Sequence, residues 1–220
     1  QDHLNLVDPE LGFFIPPERR HLWFRSLTSS QALALSVLGT LAKRGDLGIL
    51  GRLCCDDTAN LLESDETFWF FCFEFTPWWL EQGKRKSQID LYLASDTRRI
   101  AVECKFTETD IGICDPGGKR TAFSAYSSLP GYKICNRVKY NGAKYWLYWP
   151  EISNFPFPES CPNHCPLYKT YQLARNVMAA AVDPVDQTVD NRGTALLLYD
   201  ARNPTFKATQ GAPDILHSTQ

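Results

Sequence analysis

The chain has 220 residues, 44% of them hydrophobic, which is enough for one domain with a sizeable core, and its 13% aromatic content excludes a disordered chain. The formal net charge of −2 excludes a general electrostatic grip on nucleic acid, so any such contact must be local. No apolar run reaches the ~18 residues that span a bilayer, and no signal-peptide pattern opens the sequence. From the length we expect one domain over residues 1–220.

The first predicted elements are an N-terminal arm and a helix. Residues 1–27 contain three prolines and no sustained period, which predicts an arm. Its aromatic residues are expected to pack against the core: Phe13, Phe14, Trp23 and Phe24. N-cap candidates at positions 29 and 30 predict a helix from Ser30 to Lys43, which Gly45 ends. The residues at helical spacing that predict its buried face are Leu33, Val37, Leu38 and Leu41.

The middle of the chain predicts strands. The run TFWFFCFEFT over 67–76 is aromatic and continuous, which fits a strand buried on both faces. Two further strands, QIDLYLA over 88–94 and RIAVECKF over 99–106, follow with a short turn between them. The run KYWLYW over 144–149 predicts another short strand.

A helix and a strand complete the order of elements. Pro166 can occupy the first turn of a helix that runs to about residue 182. The run TALLLYDA over 194–201 predicts another buried strand. The order of helix, strands, long loop, helix and strand predicts an α/β (α+β) sandwich with a mixed sheet.

The hairpin formed by the second and third strands carries the candidate chemistry. In RIAVECKF every second residue from Ile100 is apolar, which places Glu103 and Lys105 together on the other face. In QIDLYLA the alternate residues from Ile89 are apolar, so Asp90 lies on the polar face.

The turn of this hairpin decides which residues lie opposite each other. With a loop of two or of four residues, Ala94 pairs with Arg99. The same register places Asp90 opposite Glu103, with Cβ atoms roughly 4.5–5.5 Å apart. Like charges opposed in this way are destabilising unless a cation lies between them. Lys105 is one candidate for that cation, and a divalent metal ion is the other.

Two carboxylates beside a lysine suit hydrolysis of a phosphodiester. Carboxylate oxygens are ligands for Mg²⁺, which takes the rest of its shell from water and substrate phosphate. Such a metal lowers the pKa of bound water and neutralises charge that develops on the phosphate. Lys105 could orient or help to deprotonate the attacking water, or stabilise the charged transition state. The alternative is an ion pair on a solvated strand, which the same spacing produces by chance.

These segments also resemble a known family. A strand ending FEFTP, then KSQIDLYLAS, a short turn and RIAVECKFTE is similar to the core of the PD-(D/E)XK nuclease superfamily, in particular to a group of bacterial restriction-endonuclease-like proteins. The segments SSQALALSVLG and YQLARN resemble that group's flanking helices, so the resemblance spans about residues 26–200. Ile89-Asp90 replaces the Pro-Asp of the motif's name, a variation common in the superfamily.

The resemblance implies a restriction-endonuclease-like core with a central four-stranded mixed sheet flanked by helices. It implies Asp90, Glu103 and Lys105 as catalytic residues. It also implies Mg²⁺ or Mn²⁺ held by Asp90, Glu103 and the backbone carbonyl of Cys104. The implied function is a Mg²⁺-dependent endonuclease of restriction or defence type that hydrolyses phosphodiester bonds in DNA, with RNA left open. The alternative is a catalytically inactive module on the same fold that binds nucleic acid or protein.

Other polar residues are candidates for the same site. Glu74 lies in the aromatic strand, where a charge is costly unless paired or metal-bound, so it is either a further metal ligand or a buried partner of Arg or Lys. Gln172 and Arg175 are three apart on a predicted helix and share a face, so they either bind substrate or only pack. Gln31 could reach the site or serve as a cap, and Glu108 could join it or cap the loop.

Basic residues indicate where substrate could lie. The region 119–139 is the most basic stretch of the chain and the better candidate for substrate binding. The segment 84–86, next to Trp78 and Trp79, could contact backbone phosphates, with a solvated turn as the alternative. Cleavage of a duplex by one site per chain would favour a homodimer.

The cysteines indicate the redox compartment. The chain has eight, but Cys54 and Cys55 are adjacent. Cys72 and Cys104 lie in apolar, strand-like runs, where cysteine behaves as a small hydrophobe. A domain of this size needs no disulfides, so we expect a reducing, cytoplasmic setting.

A second group, Cys161 and Cys165 with His164 nearby, resembles part of a metal site. A single C-x3-C is weak evidence, because a structural zinc site needs four well-spaced ligands. Cys114 and Cys135 would have to complete it. We therefore do not expect a structural Zn or Fe–S cluster here.

Overall fold

A computed structural model of the chain describes residues 6–24, 26, 29–52, 54–55, 59–60, 67–68, 70–83, 86–108, 112, 114, 142–153, 167 and 170–200. Its regular elements are, in chain order, 3₁₀ helices Pro9–Phe14 and Pro17–Arg19, helix α1 (Ser30–Arg44), 3₁₀ helix Leu47–Arg52, strands β1 (Cys54–Cys55), β2 (Ala59–Asn60), β3 (Phe70–Phe75), β4 (Ile89–Ala94) and β5 (Arg99–Lys105), helices α2 (Tyr145–Ser153) and α3 (Tyr171–Ala181), and strand β6 (Gly193–Tyr199). Within these ranges no helix has the length and apolar character needed to cross a membrane.

The centre of the fold is a four-stranded sheet with the order β3-β4-β5-β6. Strands β3, β4 and β5 pair antiparallel, whereas β5 and β6 run parallel. A parallel pair requires a crossover connection, and α3 lies on that crossover. Helix α1 packs on one face of the sheet, and α2 and α3 pack on the other. The predicted α/β class, with a mixed four-stranded sheet flanked by helices, is confirmed.

Helix α1 begins and ends at its predicted signals. The Ser29 hydroxyl accepts a hydrogen bond from a first-turn backbone N–H at 3.2 Å, and Gly45 follows the helix with a φ of +76°. The predicted buried face is partly wrong, because Leu35 and Leu38 meet the core whereas Val37 is 51% exposed. Val37 lies two residues from Leu35, about 200° around the helix, and this turns it away from the sheet.

The N-terminal segment is anchored more firmly than an arm. Leu11, Ile15 and Phe24 are buried in the same core cluster as the residues of α1. The expected packing of Phe13 and Trp23 is wrong, since these side chains are 88% and 66% exposed. A 3₁₀ helix has three residues per turn, so Leu11 and Phe14 meet the core on one side while Phe13 lies on the exposed side.

The outer strands of the described sheet are less buried than predicted. The expectation that β3 is buried on both faces is wrong at Phe71, which is 36% exposed, because β3 lies at one edge. Strand β6 lies at the other edge, and Leu196 is the one residue of β6 that is fully buried. The inner strands β4 and β5 agree with the prediction in position, but the face of β5 that was predicted to be polar is buried as well.

Residues 145–149 are helical, and the strand predicted over 144–149 is wrong. Helix α2 places Tyr145 and Tyr148, three residues apart, in the cluster that includes α3, whereas Leu147 is 70% exposed. The aromatic residues favour a strand locally, but packing at helical spacing decides the outcome. Helix α3 also starts later than predicted, at Tyr171.

The C-terminal end of α3 is fixed to the start of β5. Buried Arg99 donates through Nε to the Ala180 carbonyl oxygen at 2.8 Å. Its guanidinium also donates to Asp183 at 3.1 Å and to Asp190. Arg192 donates to the same two carboxylates. A cation at the last carbonyls of a helix satisfies acceptors that lack a helical partner and complements the helix dipole.

Gly193 starts β6 against this end of α3. A Cβ at position 193 would lie 2.3 Å from the carbonyl carbon of Ala180 and 2.4 Å from the nitrogen of Ala181. Because backbone cannot yield as a side chain can, Gly193→Ala should lower the free energy of unfolding by at least about 1–3 kcal/mol, measured by urea denaturation.

The matched control for that variant is Gly39→Ala, inside α1. There the nearest atom to a new Cβ is the side-chain Cδ1 of Leu35, at 3.1 Å. Alanine has a higher helix propensity than glycine, so this variant should be neutral or slightly stabilised. Equal losses of stability in the two variants would contradict the close approach at Gly193.

A buried carboxylate holds the turn after β3 against α2 and α3. Glu81 is fully buried. It accepts hydrogen bonds from the backbone N–H and the hydroxyl of Ser87, at 2.6 and 2.8 Å. The hydroxyl of Tyr171 donates to it at 2.6 Å, and that of Tyr145 donates as well. Burial acts to raise the pKa of Glu81, but these hydrogen bonds outweigh burial and hold the pKa below its usual value.

This lowered pKa makes stability depend on pH. The stabilisation by ionised Glu81 is present above the ordinary carboxyl pKa of 4.5 and is lost as the pH falls through the lower pKa of the folded state. Glu81→Gln should therefore be less stable than the parent at pH 7, by about 1–3 kcal/mol, and the difference should shrink in acid. Urea denaturation at several pH values measures it, with Glu151→Gln on the exposed side of α2 as control. A difference that does not change with pH would refute the assignment.

Candidate active site

Strands β4 and β5 separate at the end where the candidate acids lie. Their ladder begins with Ala94 opposite Arg99, as predicted, and continues for four pairs. It ends one pair short of Asp90 and Glu103. The Oδ2 atom of Asp90 instead accepts a hydrogen bond from the backbone N–H of Cys104 at 2.6 Å. The ends of the two strands are therefore open at the carboxylates.

The carboxylate of Glu103 is buried and accepts three hydrogen bonds. Its Oε1 accepts from Lys105 Nζ at 2.9 Å. Its Oε2 accepts from Arg175 Nη2 at 2.8 Å and from Asn176 Nδ2 at 3.0 Å. Arg175 also donates through Nε to Asn176 Oδ1 at 2.9 Å. The face that Glu103 and Lys105 share therefore meets α3.

Lys105 connects the strand to the first turn of α3. Its Nζ donates to the side-chain oxygen of Gln172 at 2.8 Å as well as to Glu103. Burial acts to lower the pKa of Lys105, but the charges of Glu103 and Asp90 outweigh burial and hold the pKa above its usual value. Lys105 is therefore an ammonium ion at neutral pH. An ammonium ion in this position suits the stabilisation of negative charge, and the other roles considered for Lys105 from sequence stay predictions.

Three carboxylates, those of Glu74, Asp90 and Glu103, repel one another at this site. Burial, followed by the charges of Glu103 and Glu74, raises the pKa of Asp90 well above its usual range. Burial also raises the pKa of Glu74 to about 7, with a further contribution from Glu103 and an opposing one from Gln31. Such crowding costs free energy that an added cation would recover.

Glu74 enters the site from the edge strand with an uncommon backbone conformation. Its φ is +51°, a left-handed value that few residues other than glycine adopt. Its neighbours Phe73 and Phe75 pair with β4, whereas Glu74 has no partner in that ladder. The side chain is 6% exposed and hydrogen-bonded to Gln31 of α1. Both interpretations of Glu74 made from sequence, metal ligand and buried ionic partner, stay predictions.

Gln172 and Arg175 lie together on the side of α3 that meets β5. Arg175 is 1% exposed, and Glu103 engages its guanidinium, so contact with substrate stays a prediction and would require Arg175 to leave Glu103. Gln172 contacts Lys105, and its role with substrate is likewise a prediction. Asn176 was missed as a site residue from sequence. Its spacing of four from Gln172, which places both on one face, is the signal that could have found it.

Glu108 and Gln31 have contacts that suit structural roles. Glu108 Oε2 accepts hydrogen bonds from the backbone N–H groups of Phe106 at 2.7 Å and Thr107 at 3.0 Å, which agrees with capping of the loop. Gln31 Oε1 accepts from the backbone N–H of His21 at 2.7 Å and so holds the N-terminal segment to α1. Gln31 also reaches the acid cluster, through its hydrogen bond to Glu74.

The donors that could hold a metal ion are carboxylate and carbonyl oxygens at the two open strand ends. Among the residues that the structure describes, no three His, Cys, Asp or Glu side chains form a ready metal cage. Asp90 and Glu103, with the carbonyl of Cys104, instead match the one or two carboxylates that Mg²⁺ uses when water and substrate complete its shell.

The sequence matches a known family over most of its length. A family model described as "Restriction Endonuclease associating with ARP" matches residues 18–217. The chain belongs to this family. The match includes all the residues of the site, and the family description supports a restriction-endonuclease-like protein. No curated protein and no solved structure matches the chain.

Several predicted features of this restriction-endonuclease family member lie outside the described residues. They are Cys135, Cys161, His164, Cys165, the basic region 119–139 and residues 84 and 85 of the basic segment. Cys72 and Cys104 form no disulfide, and Cys104 is buried as a small hydrophobe would be. The two tryptophans next to the basic segment 84–86 differ in exposure, because Trp78 is 53% exposed and Trp79 is buried.

The crowding of acids should reduce the stability of this family member in the absence of a bound cation. Asp90→Asn removes one of the charges and keeps an oxygen that can accept from Cys104. It should therefore raise the melting temperature at pH 7 in EDTA, by about 2–4 °C for each kcal/mol recovered.

The control for this variant is Asp96→Asn, at the exposed tip of the same hairpin. It changes the same atoms where no acid cluster lies, so its melting temperature should match that of the parent. A lower melting temperature for Asp90→Asn than for Asp96→Asn would show that Asp90 is not under electrostatic strain.

Proposed function

We propose that this protein is a Mg²⁺-dependent nuclease of the PD-(D/E)XK type that hydrolyses phosphodiester bonds in DNA, as a restriction or defence endonuclease. The observation that carries the proposal is the meeting of Asp90, Glu103 and Lys105 at the open ends of β4 and β5. The family match supports a nuclease at the coarser level.

The chemistry of the donor set fits a hard divalent cation. Burial, followed by the charges of Glu103 and Glu74, raises the pKa of Asp90, and a bound cation would favour its ionised form. The donors are all oxygens, which suit Mg²⁺ or Mn²⁺ better than a soft metal. We propose Asp90, Glu103 and the Cys104 carbonyl as the ligands, with Glu74 as a further candidate. The chemistry that Mg²⁺ supplies when bound is activation of water and neutralisation of charge on the phosphate.

The protein's own residues would divide the remaining tasks. The Lys105 ammonium, held by Glu103 and Gln172, is placed to stabilise negative charge on the phosphate in the transition state. The hydrogen bond from Cys104 N–H fixes the orientation of Asp90. Arg175 and Asn176 fix Glu103 from the side of α3. Because these groups are held before substrate arrives, little reorganisation is needed during the reaction.

The experiment is cleavage of plasmid DNA in Mg²⁺, in Mn²⁺ and in EDTA. The parent should cut in either metal and not in EDTA. Asp90→Asn, Glu103→Gln and Lys105→Met should each lose at least about 10²-fold in rate, since each removes a group that acts on the transition state.

Asp96→Asn serves again as the matched control and should cut at the parental rate. Circular dichroism spectra of the variants should match that of the parent, which checks that each variant is folded. Cutting by Asp90→Asn at the parental rate, or by the parent in EDTA, would refute the proposed function.

A second candidate is a catalytically inactive module on the same fold that binds nucleic acid or protein. The observation in its favour is that Lys105, Arg175 and Asn176 already occupy both oxygens of Glu103. Retention of DNA on a filter without cutting in either metal would favour the module. Cutting that depends on Asp90 would exclude it.

A further inference from the structure

The Glu81 carboxylate lies outside the site formed by Asp90, Glu103 and Lys105 (the acid–lysine site), yet it contacts Tyr171, the first residue of α3. Its Oε1 accepts from the Tyr171 hydroxyl at 2.6 Å, and the Ser87 hydroxyl lies 3.1 Å from the same tyrosine oxygen. Tyr171 and Tyr145 also contact edge to face, with ring centroids 5.8 Å apart. The start of α3 is thus tied by hydroxyl groups to one buried anion.

The start of α3 depends on such contacts because its own sequence provides no side-chain N-cap. Thr170 occupies the N-cap position but makes no side-chain capping hydrogen bond. The N–H of Gln172 is satisfied by the carbonyl of Gly112, at a rather long 3.3 Å. A first turn without a side-chain cap is prone to fray. The hydrogen bond between Tyr171 and Glu81 is therefore a main restraint on where this turn lies.

The same turn delivers a residue to the acid–lysine site. Gln172 follows Tyr171 directly and accepts the hydrogen bond from Lys105 at 2.8 Å. Arg175 lies four residues after Tyr171, on the same side of the helix, and holds Glu103. A shift of the first turn therefore moves the partners of both Lys105 and Glu103.

We propose that Glu81 and Tyr171 are positioning residues that fix the first turn of α3 and so hold Gln172 against Lys105. The consequence for reaction rate rests on the proposed nuclease function, whereas the consequence for the position of the turn does not. A displacement of about 1 Å at a reacting centre can cost 10²-fold in rate. Loss of one hydroxyl outside the acid–lysine site is therefore enough to lower catalysis.

The test compares two tyrosines that donate to the same carboxylate. Tyr171→Phe removes the hydroxyl on α3, and Tyr145→Phe removes the hydroxyl on α2, which carries no residue of the acid–lysine site. Both variants keep their rings and lose a hydrogen bond to the same buried anion. Their melting temperatures should therefore fall by similar amounts, which removes general stability as the explanation for any difference.

In plasmid cleavage, Tyr171→Phe should lower kcat by about 10- to 100-fold with KM unchanged. Tyr145→Phe should lower kcat much less, because the Tyr145 hydroxyl reaches α3 only through its 3.0 Å contact with the Tyr171 hydroxyl. A purely structural role predicts that the two variants lose the same activity, so equal values of kcat for the two would overturn the proposal.

Amide hydrogen exchange of the full chain is a second test, and it measures the opening of the first turn of α3 without requiring that the protein cleave DNA. Tyr171→Phe should speed exchange at Gln172 and Arg175 in the first turn. It should leave Met178 and Val182 unchanged, because Arg99 holds the other end of the helix. Unchanged exchange in the first turn would overturn the proposal.

Two further outcomes are also decisive. If the parent cuts no DNA, the proposed function fails, and exchange alone decides whether Glu81 and Tyr171 fix the turn. If Tyr171→Phe does not fold, Ser87→Ala replaces it, since the Ser87 hydroxyl lies between Glu81 and Tyr171. That variant should speed exchange at the same first-turn amides to a smaller extent, and unchanged exchange would again overturn the proposal.

Discussion

The buried carboxylate of Glu103 is the contact on which the arrangement of the sheet and α3 depends. A charge out of water is costly unless it is paired and hydrogen-bonded. Lys105 of the same strand and Arg175 and Asn176 of the helix together provide this pairing. Removing one partner of a buried pair typically costs about 3–5 kcal/mol, so the helix cannot easily leave. The interaction that joins the two layers is thus also the one that holds the candidate site together.

Because β4 and β5 are no longer paired at Asp90 and Glu103, these acids are arranged differently from opposed residues in a regular hairpin. Ladder pairing from Ala94 to Leu91 keeps the strands in register. At Asp90 a side chain, rather than the backbone, bonds the neighbouring strand. The carboxylates of Asp90 and Glu103 therefore lie near each other, although backbone hydrogen bonds do not pair these two residues across the strands. The electrostatic strain that remains is local to the carboxylates of Asp90, Glu103 and Glu74. Strain of this kind is common where a site is shaped for a ligand.

The hairpin could be predicted from sequence because its signals are local. Alternation along β5 and the length of the turn were enough to place Lys105 beside Glu103 and to pair Ala94 with Arg99. The helical state of 144–149 could not be predicted, because it depends on packing against α3 more than twenty residues later in the chain. The partners of Glu103 were hidden for the same reason. Spacing along α3 showed which residues share a face, but only the tertiary fold shows which strand that face meets.

Strand β5 holds α3 at both ends, because Lys105 binds Gln172 in the first turn and Arg99 binds the terminal carbonyls. Each residue of an α-helix advances about 100° around the axis. One residue inserted between these two attachment points would rotate one end against the other, so that both could not be satisfied together. The number of residues between Gln172 and Ala180 is therefore constrained as strictly as the identity of the buried side chains that line this part of the helix.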